Sequence, residues 1–61
     1  MEFEVILVAT TRDEGGMKAS FDRQVAEIGG EPTLLEEYQP YAVESSDGRY
    51  FEAKRKYKFV L

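Results

Sequence analysis

The chain has 61 residues, enough for one small domain. It contains no cysteine and no histidine, which excludes disulfides, thiolate metal sites and histidine-based proton transfer. With 43% hydrophobic and 33% charged residues the composition is globular, and no apolar run reaches the roughly 20 residues of a membrane span. We therefore expect a soluble, cytoplasmic domain that uses no metal or cofactor. Since small domains have thin stability margins, a homodimer is one way to support it.

The net charge of −4 conceals a strong asymmetry along the chain. Residues 49–58 contain five basic residues and one acid, whereas the remaining residues carry eleven acids and three bases. The function has to account for a basic C-terminal segment on an acidic body.

Residues 2–11 are predicted to form the first strand, because β-branched and aromatic residues dominate and no breaker interrupts them. The odd positions form one apolar face. Ile6 and Val8 make the middle of the other face apolar as well. A strand that is apolar on both sides is usually covered on both sides.

Residues 17–28 are predicted to form a helix. Met17, Phe21, Val25 and Ile28 recur at intervals of four, four and three, which places them along one stripe. The glycine pair 29–30 then favours a helix end.

Residues 33–44 predict a second strand that is interrupted at Pro40, because proline cannot donate a hydrogen bond to a neighbouring strand. The segment 45–48 ends in Asp-Gly and indicates a hairpin turn. Residues 49–61 alternate cleanly between apolar and charged positions, and Arg55 is the one charged residue on the apolar face.

This element order predicts a single α+β domain over residues 1–61. We expect a two-layer β-α-β-β fold with a three-stranded mixed sheet, strand order 1-3-2, and one helix packed on one face. A single helix covers one face of such a sheet. The other face would then expose Ile6 and Val8 together, which is typical of an interface.

The leading functional hypothesis is a small, non-catalytic protein-interaction module of regulatory or inhibitor type, which binds another protein of unknown identity or a second copy of itself. One candidate surface is the open sheet face with Ile6 and Val8. The other is the acidic, tyrosine-rich second strand, where tyrosine offers much contact area at little entropic cost. Its candidate residues are Glu36, Glu37, Tyr38, Tyr41 and Glu44.

The alternative hypothesis is a nucleic-acid-binding protein that uses the third strand. Its cations and aromatic rings alternate as in some single-strand binders. The candidate residues are Arg49, Tyr50, Lys54, Lys56 and Lys58. Against it, a simple hairpin register pairs Glu44 with Arg49 and Glu37 with Lys56, which would neutralise the basic strand. The overall acidity also disfavours a phosphate backbone.

A third hypothesis is a small-ligand site at a dimer interface, supported by Arg55 and by the Gly15-Gly16 pair before the helix. Gly15 and Gly16 could offer backbone N–H groups to a phosphate. In the hairpin register Arg55 lies opposite Tyr38, and its guanidinium is expected to reach water or Glu36.

Overall fold

The computed structural model describes residues 1–61, apart from the side chain of Glu14. It confirms an α+β chain with one α-helix. The elements are β1 (Glu2–Thr11), a 3-10 turn (Glu14–Gly16), α1 (Met17–Ile28), β2 (Glu31–Glu37), β3 (Tyr41–Ser45) and β4 (Gly48–Val60). None of the described residues belongs to a helix long and apolar enough to cross a membrane.

The sheet has four strands, and β4 lies in its middle. β1 pairs with one side of β4, while β2 and β3 follow each other along the opposite side. All three ladders are antiparallel. The prediction of a three-stranded mixed sheet was therefore wrong in strand count and in type. The second predicted strand is divided at Pro40. The central place of the last strand in the predicted order 1-3-2 is confirmed, because β4 lies between β1 and β2.

The hairpin register holds near the turn and is lost beyond Pro40. Glu44 lies opposite Arg49 as predicted. Farther along, Glu37 faces Arg55, and the register shifts again between Leu34 and Glu36. The expected pairs Glu37–Lys56 and Tyr38–Arg55 were wrong. The physical reason is that the interruption at Pro40 and the β-bulge each displace the edge strand along β4.

The core lies between α1 and the adjacent face of the sheet. Met17 and Phe21 of the predicted helical stripe are buried, and Val25 and Ile28 pack against the same cluster while half-buried. The strands contribute buried residues at alternate positions, namely Leu7, Ala9, Ala53, Tyr57 and Phe59. The predicted stripe and the predicted alternation therefore meet in one core.

The end of α1 requires glycine at Gly30. Gly30 has a φ of +73°, and a Cβ there would lie 2.4 Å from the carbonyl oxygen of Val60. The backbone of the helix exit thus approaches the end of β4 more closely than a side chain allows. This close approach brings the exit of α1 against the last residues of β4.

Candidate functional site

The face of the sheet that points away from α1 presents two neighbouring apolar side chains of β1 to solvent. Ile6 is 52% exposed and Val8 is 43% exposed. They lie opposite Lys56 and Lys54 in the β1–β4 ladder, so lysines flank them across the strand. We name this surface the open face: it consists of the even-numbered positions of β1 and β4 and the positions of β2 and β3 that pair with them.

Ion pairs between β1 and β4 neutralise part of the basic strand on the open face. The Lys56 Nζ lies 3.3 Å from Glu4 Oε1, and the Lys58 Nζ lies 3.5 Å from Glu2 Oε1. The acids that form ion pairs with these lysines thus come from β1. The sequence reasoning took Glu37 of the second strand as the partner of Lys56, but the residue of β2 opposite Lys56 is Glu36. The sequence did contain a signal for this pairing of β1 with β4. Glu2 and Glu4 have the same two-residue spacing as Lys56 and Lys58, so the four charges can lie on one face of two neighbouring strands.

The nucleic-acid candidates do not all share one surface. Tyr50, Lys54, Lys56 and Lys58 occupy even positions of β4 on the open face, whereas Arg49 is an odd position and pairs with Glu44 at 2.9 Å. Among the described side chains, Lys54 takes part in none of the ion pairs. Most cations of the basic strand are therefore neutralised by ion pairs, and the strand does not present a continuous positive surface.

The acidic, tyrosine-rich strand is divided between the two faces of the sheet. Glu36 and Tyr41 pair with even-numbered residues of β4 and belong to the open face. Glu37 and Glu44 pair with Arg55 and Arg49 on the helix side. The five residues predicted as one surface are therefore brought together only in part.

Two tyrosine hydroxyls on this strand donate to carboxylates. Tyr38 donates to Glu36, and Tyr41 donates to Glu52. Each hydrogen bond raises the pKa of its tyrosine, because the carboxylate stabilises the protonated phenol. Both rings stay at the surface, at 41% and 43% exposure. These bonds hold two aromatic rings in fixed, solvent-exposed positions.

Arg55 lies on the helix side of the sheet, in the middle of the apolar row of β4. Its guanidinium carbon is 4.6 Å from the centre of the Phe21 ring. Nη1 donates to the Tyr57 hydroxyl at 3.1 Å, and Nη2 contacts Glu37 at 3.0 Å. The Tyr57 hydrogen bond is the main cause that raises the pKa of Arg55. The expected contacts with Glu36 and Tyr38 were wrong, because the register shift places Glu37 opposite Arg55.

Arg55 also borders a cavity of about 360 Å³. The cavity lies where the start of α1, the junction between β2 and β3, and β4 come together. Its lining combines the buried side chains Met17, Phe21 and Ala53 with the polar residues Lys18, Glu37 and Arg55. Sequence reasoning singled out Arg55 but not the cavity, which depends on how α1 sits on the sheet.

The predicted phosphate contact at Gly15-Gly16 is already occupied. The Gly15 N–H donates to Asp13 Oδ1 at 3.0 Å, and the Gly16 N–H donates to the Asp13 carbonyl oxygen at 2.9 Å. Asp13 thus accepts from both N–H groups in the 3-10 turn and places a carboxylate where a phosphate would have to bind. This part of the third hypothesis is wrong.

Among the described side chains, no three carboxylates lie together in a group that could hold a metal ion. No protein-family model, curated protein or solved structure matches this chain.

Proposed function

We propose that the protein is a small, non-catalytic interaction module of regulatory or inhibitor type, and that it binds a partner protein through the open face. The observation that carries the proposal is the exposure of Ile6 and Val8 side by side on that face. Within the described residues, the single α-helix packs on the other face and leaves this pair uncovered.

The surroundings of Ile6 and Val8 resemble the anatomy of a protein interface, with apolar groups inside a polar rim. Ion pairs to Lys56 and Lys58 border the two apolar side chains on one side. Tyr41, held by Glu52, adds an exposed aromatic ring on the same face. Apolar contacts would provide the affinity, and the rim charges would fix the orientation of the partner.

The charge of the whole chain supports a partner with a basic surface. The net charge of −4 produces attraction toward positive proteins and speeds their encounter at low salt. A second copy of this chain is the other candidate partner, because the open face is the same on both copies and a two-fold axis would bring Ile6 and Val8 together.

A double substitution on the open face tests the proposal. Ile6→Ser with Val8→Ser removes the apolar pair from a solvent-exposed position. The matched control is Leu34→Ser, since Leu34 is 44% exposed but pairs with Tyr57 on the helix side. Tagged versions are used to capture partners from host lysate, with nuclease treatment and a high-salt wash, and each is sedimented alone at several concentrations.

We expect the wild type and Leu34→Ser to retain one partner in near-stoichiometric amount, or to sediment as dimers. The double variant should lose that partner or become monomeric. Retention of the same partner by the double variant, with unchanged sedimentation, would contradict the proposal.

The alternative proposal is nucleic-acid binding by β4, which draws support from the alignment of Tyr50, Lys54, Lys56 and Lys58 on one face. The sharpest test is Lys54→Glu, because it reverses a charge without breaking either ion pair to β1. A capture that Lys54→Glu abolishes and that nuclease releases would favour this alternative. A capture that is insensitive to both would eliminate it.

A further inference from the structure

We infer that the cavity beside Arg55 binds an apolar carboxylate: a compound or chain end that carries an aromatic or branched aliphatic group next to a carboxylate. The site lies on the helix side of the sheet. It is therefore separate from the open face and does not depend on the proposed function.

The cavity has a size and a lining that suit a small apolar group. Its volume of about 360 Å³ is at the lower end of the range for ligand sites in proteins. Three buried apolar residues, Met17, Phe21 and Ala53, line it. Tyr38 and Pro40 border it from the β2–β3 junction. A phenyl or isobutyl group would exchange water for these surfaces.

The charges that line the cavity favour an anion. Two cations of the helix side, Arg55 and Lys18, line it with a single carboxylate, Glu37, among the described lining residues. Lys54 also borders the cavity, but as an even position of β4 its side chain belongs to the open face. The carboxylate that pairs with Lys18 belongs to Asp22, which is absent from the lining. On a chain of net charge −4, the helix-side lining thus has one positive charge more than it has negative charges.

The geometry of Arg55 prepares it to bind a carboxylate. The Phe21 ring stacks on the guanidinium, and Tyr57 and Glu37 each hold one of its nitrogens. These contacts use two of the five N–H donors of an arginine. A guanidinium with donors to spare and a fixed plane matches the two oxygens of a carboxylate.

The surroundings of Arg55 suit an apolar side chain of similar length. The neighbours of Arg55 on the same face of β4 are the buried residues Ala53 and Tyr57. Its partner Glu37 has a side chain that is 60% exposed, so removal of the guanidinium would leave that carboxylate in contact with water. We therefore expect Arg55→Met to fold, which allows the charge to be tested separately from the fold.

The experiment is an NMR titration of the 15N-labelled protein with 3-phenylpropionate and, in parallel, with the uncharged 3-phenylpropionamide. We expect the acid to shift the amide signals of Lys18, Phe21 and Arg55 and to bind at least tenfold more tightly than the amide. In Arg55→Met, acid and amide should bind equally. The side chain of Lys18 is 78% exposed. Lys18→Met should therefore weaken the binding of 3-phenylpropionate by a smaller factor than Arg55→Met does.

The matched control is Lys56→Met, which removes a cation from the open face one residue away from Arg55 and should leave the acid titration unchanged. The Ile6→Ser/Val8→Ser variant should also bind the acid normally, which separates a failure here from a failure of the proposed function. Equal binding of acid and amide by the wild type, or shifts confined to the open face, would overturn the inference.

A peptide that ends in phenylalanine identifies the source of the carboxylate. The free-acid and amidated forms of one peptide are compared with 3-phenylpropionate. If the free-acid peptide binds more tightly than 3-phenylpropionate, the cavity is assigned to the C-terminus of a partner chain. If it binds no more tightly than 3-phenylpropionate, the cavity is assigned to a small organic acid. Either result supports the site. Equal binding of the free-acid and amidated peptides, together with equal binding of 3-phenylpropionate and 3-phenylpropionamide, would contradict it.

Discussion

The two faces of the sheet are built by opposite rules, and each contains a local exception. Between Phe51 and Phe59 the helix side of β4 is apolar except for Arg55, whereas the open face of β4 is charged there, with the apolar Ile6 and Val8 beside it on β1. The exceptions coincide in register: Ile6 faces Lys56, Leu7 faces Arg55, and Val8 faces Lys54. The proposed interface and the proposed ligand cavity therefore meet back to back near the same short stretch of β4.

This stretch of the sheet is where the sequence departs from a simple alternation of apolar and polar residues. Alternation along β4 alone suffices to build the core and a solvated face. Arg55 and the Ile6–Val8 pair depart from this alternation, because a charge stands at an apolar position and two apolar residues stand at solvent-facing positions. Residues that break a local rule without an evident structural gain are where binding sites are expected.

Stability should differ most between the two faces. Phe21→Ala, on the helix side, is expected to lower the free energy of unfolding by about 3–5 kcal/mol, because it empties a fully buried site. Ile6→Ala, on the open face, is expected to cost less than about 1 kcal/mol. Urea unfolding followed by circular dichroism measures both. Similar losses for the two variants would mean that both faces are covered in solution, as in a dimer that buries Ile6.

The charge pairs of the open face should contribute less. Lys56→Glu removes the ion pair with Glu4 and places a carboxylate opposite Glu36 of β2, and we expect it to cost roughly 0.5–1 kcal/mol. High salt should recover most of the loss, because it screens the repulsion between these exposed charges. The control is Lys54→Glu, which faces the uncharged Val8. A loss that is the same at low and at high salt would argue against charge contacts at Lys56.

The smallest effect is expected at the Tyr38 hydroxyl. Its hydrogen bond to Glu36 raises the pKa above the ordinary value of 10.0. The bond therefore favours the folded state fully below that ordinary value, and this contribution is lost as the pH rises through the raised pKa. Glu36→Gln should move the ionisation of Tyr38 back toward 10.0, as followed by tyrosinate absorbance. An unchanged titration curve would show that Glu36 does not accept this bond in solution.

Much of the fold could be predicted from the sequence, because its local signals agree with one another. The bounds of β1 and α1 follow from apolar periodicity, and the Asp-Gly turn before β4 follows from turn chemistry. The register of the edge strand could not be derived as easily. The division at Pro40 was visible in the sequence, but the size of the register shift beyond it depends on how the edge strand bends around β4.

The candidate sites were predictable only as single residues. Exposure of Ile6 and Val8 follows from the sequence, because the first strand is apolar on both faces and a single helix covers only one of them. The ion pairs of Lys56 and Lys58 required the β1–β4 register, which no turn fixes because α1 lies between those strands in the chain. The cavity beside Arg55 required the position of α1 over the sheet, which is a property of packing rather than of periodicity.

The central position of β4 has a consequence for how the chain folds as it is synthesised. Each strand ladder that the structure describes includes β4, and β4 is the last of the described elements along the chain. β1 therefore has no strand partner until β4 has been synthesised and has left the ribosome. Contacts of long sequence separation form late and together. We expect folding to be all-or-none, with no stable intermediate before β4 is complete.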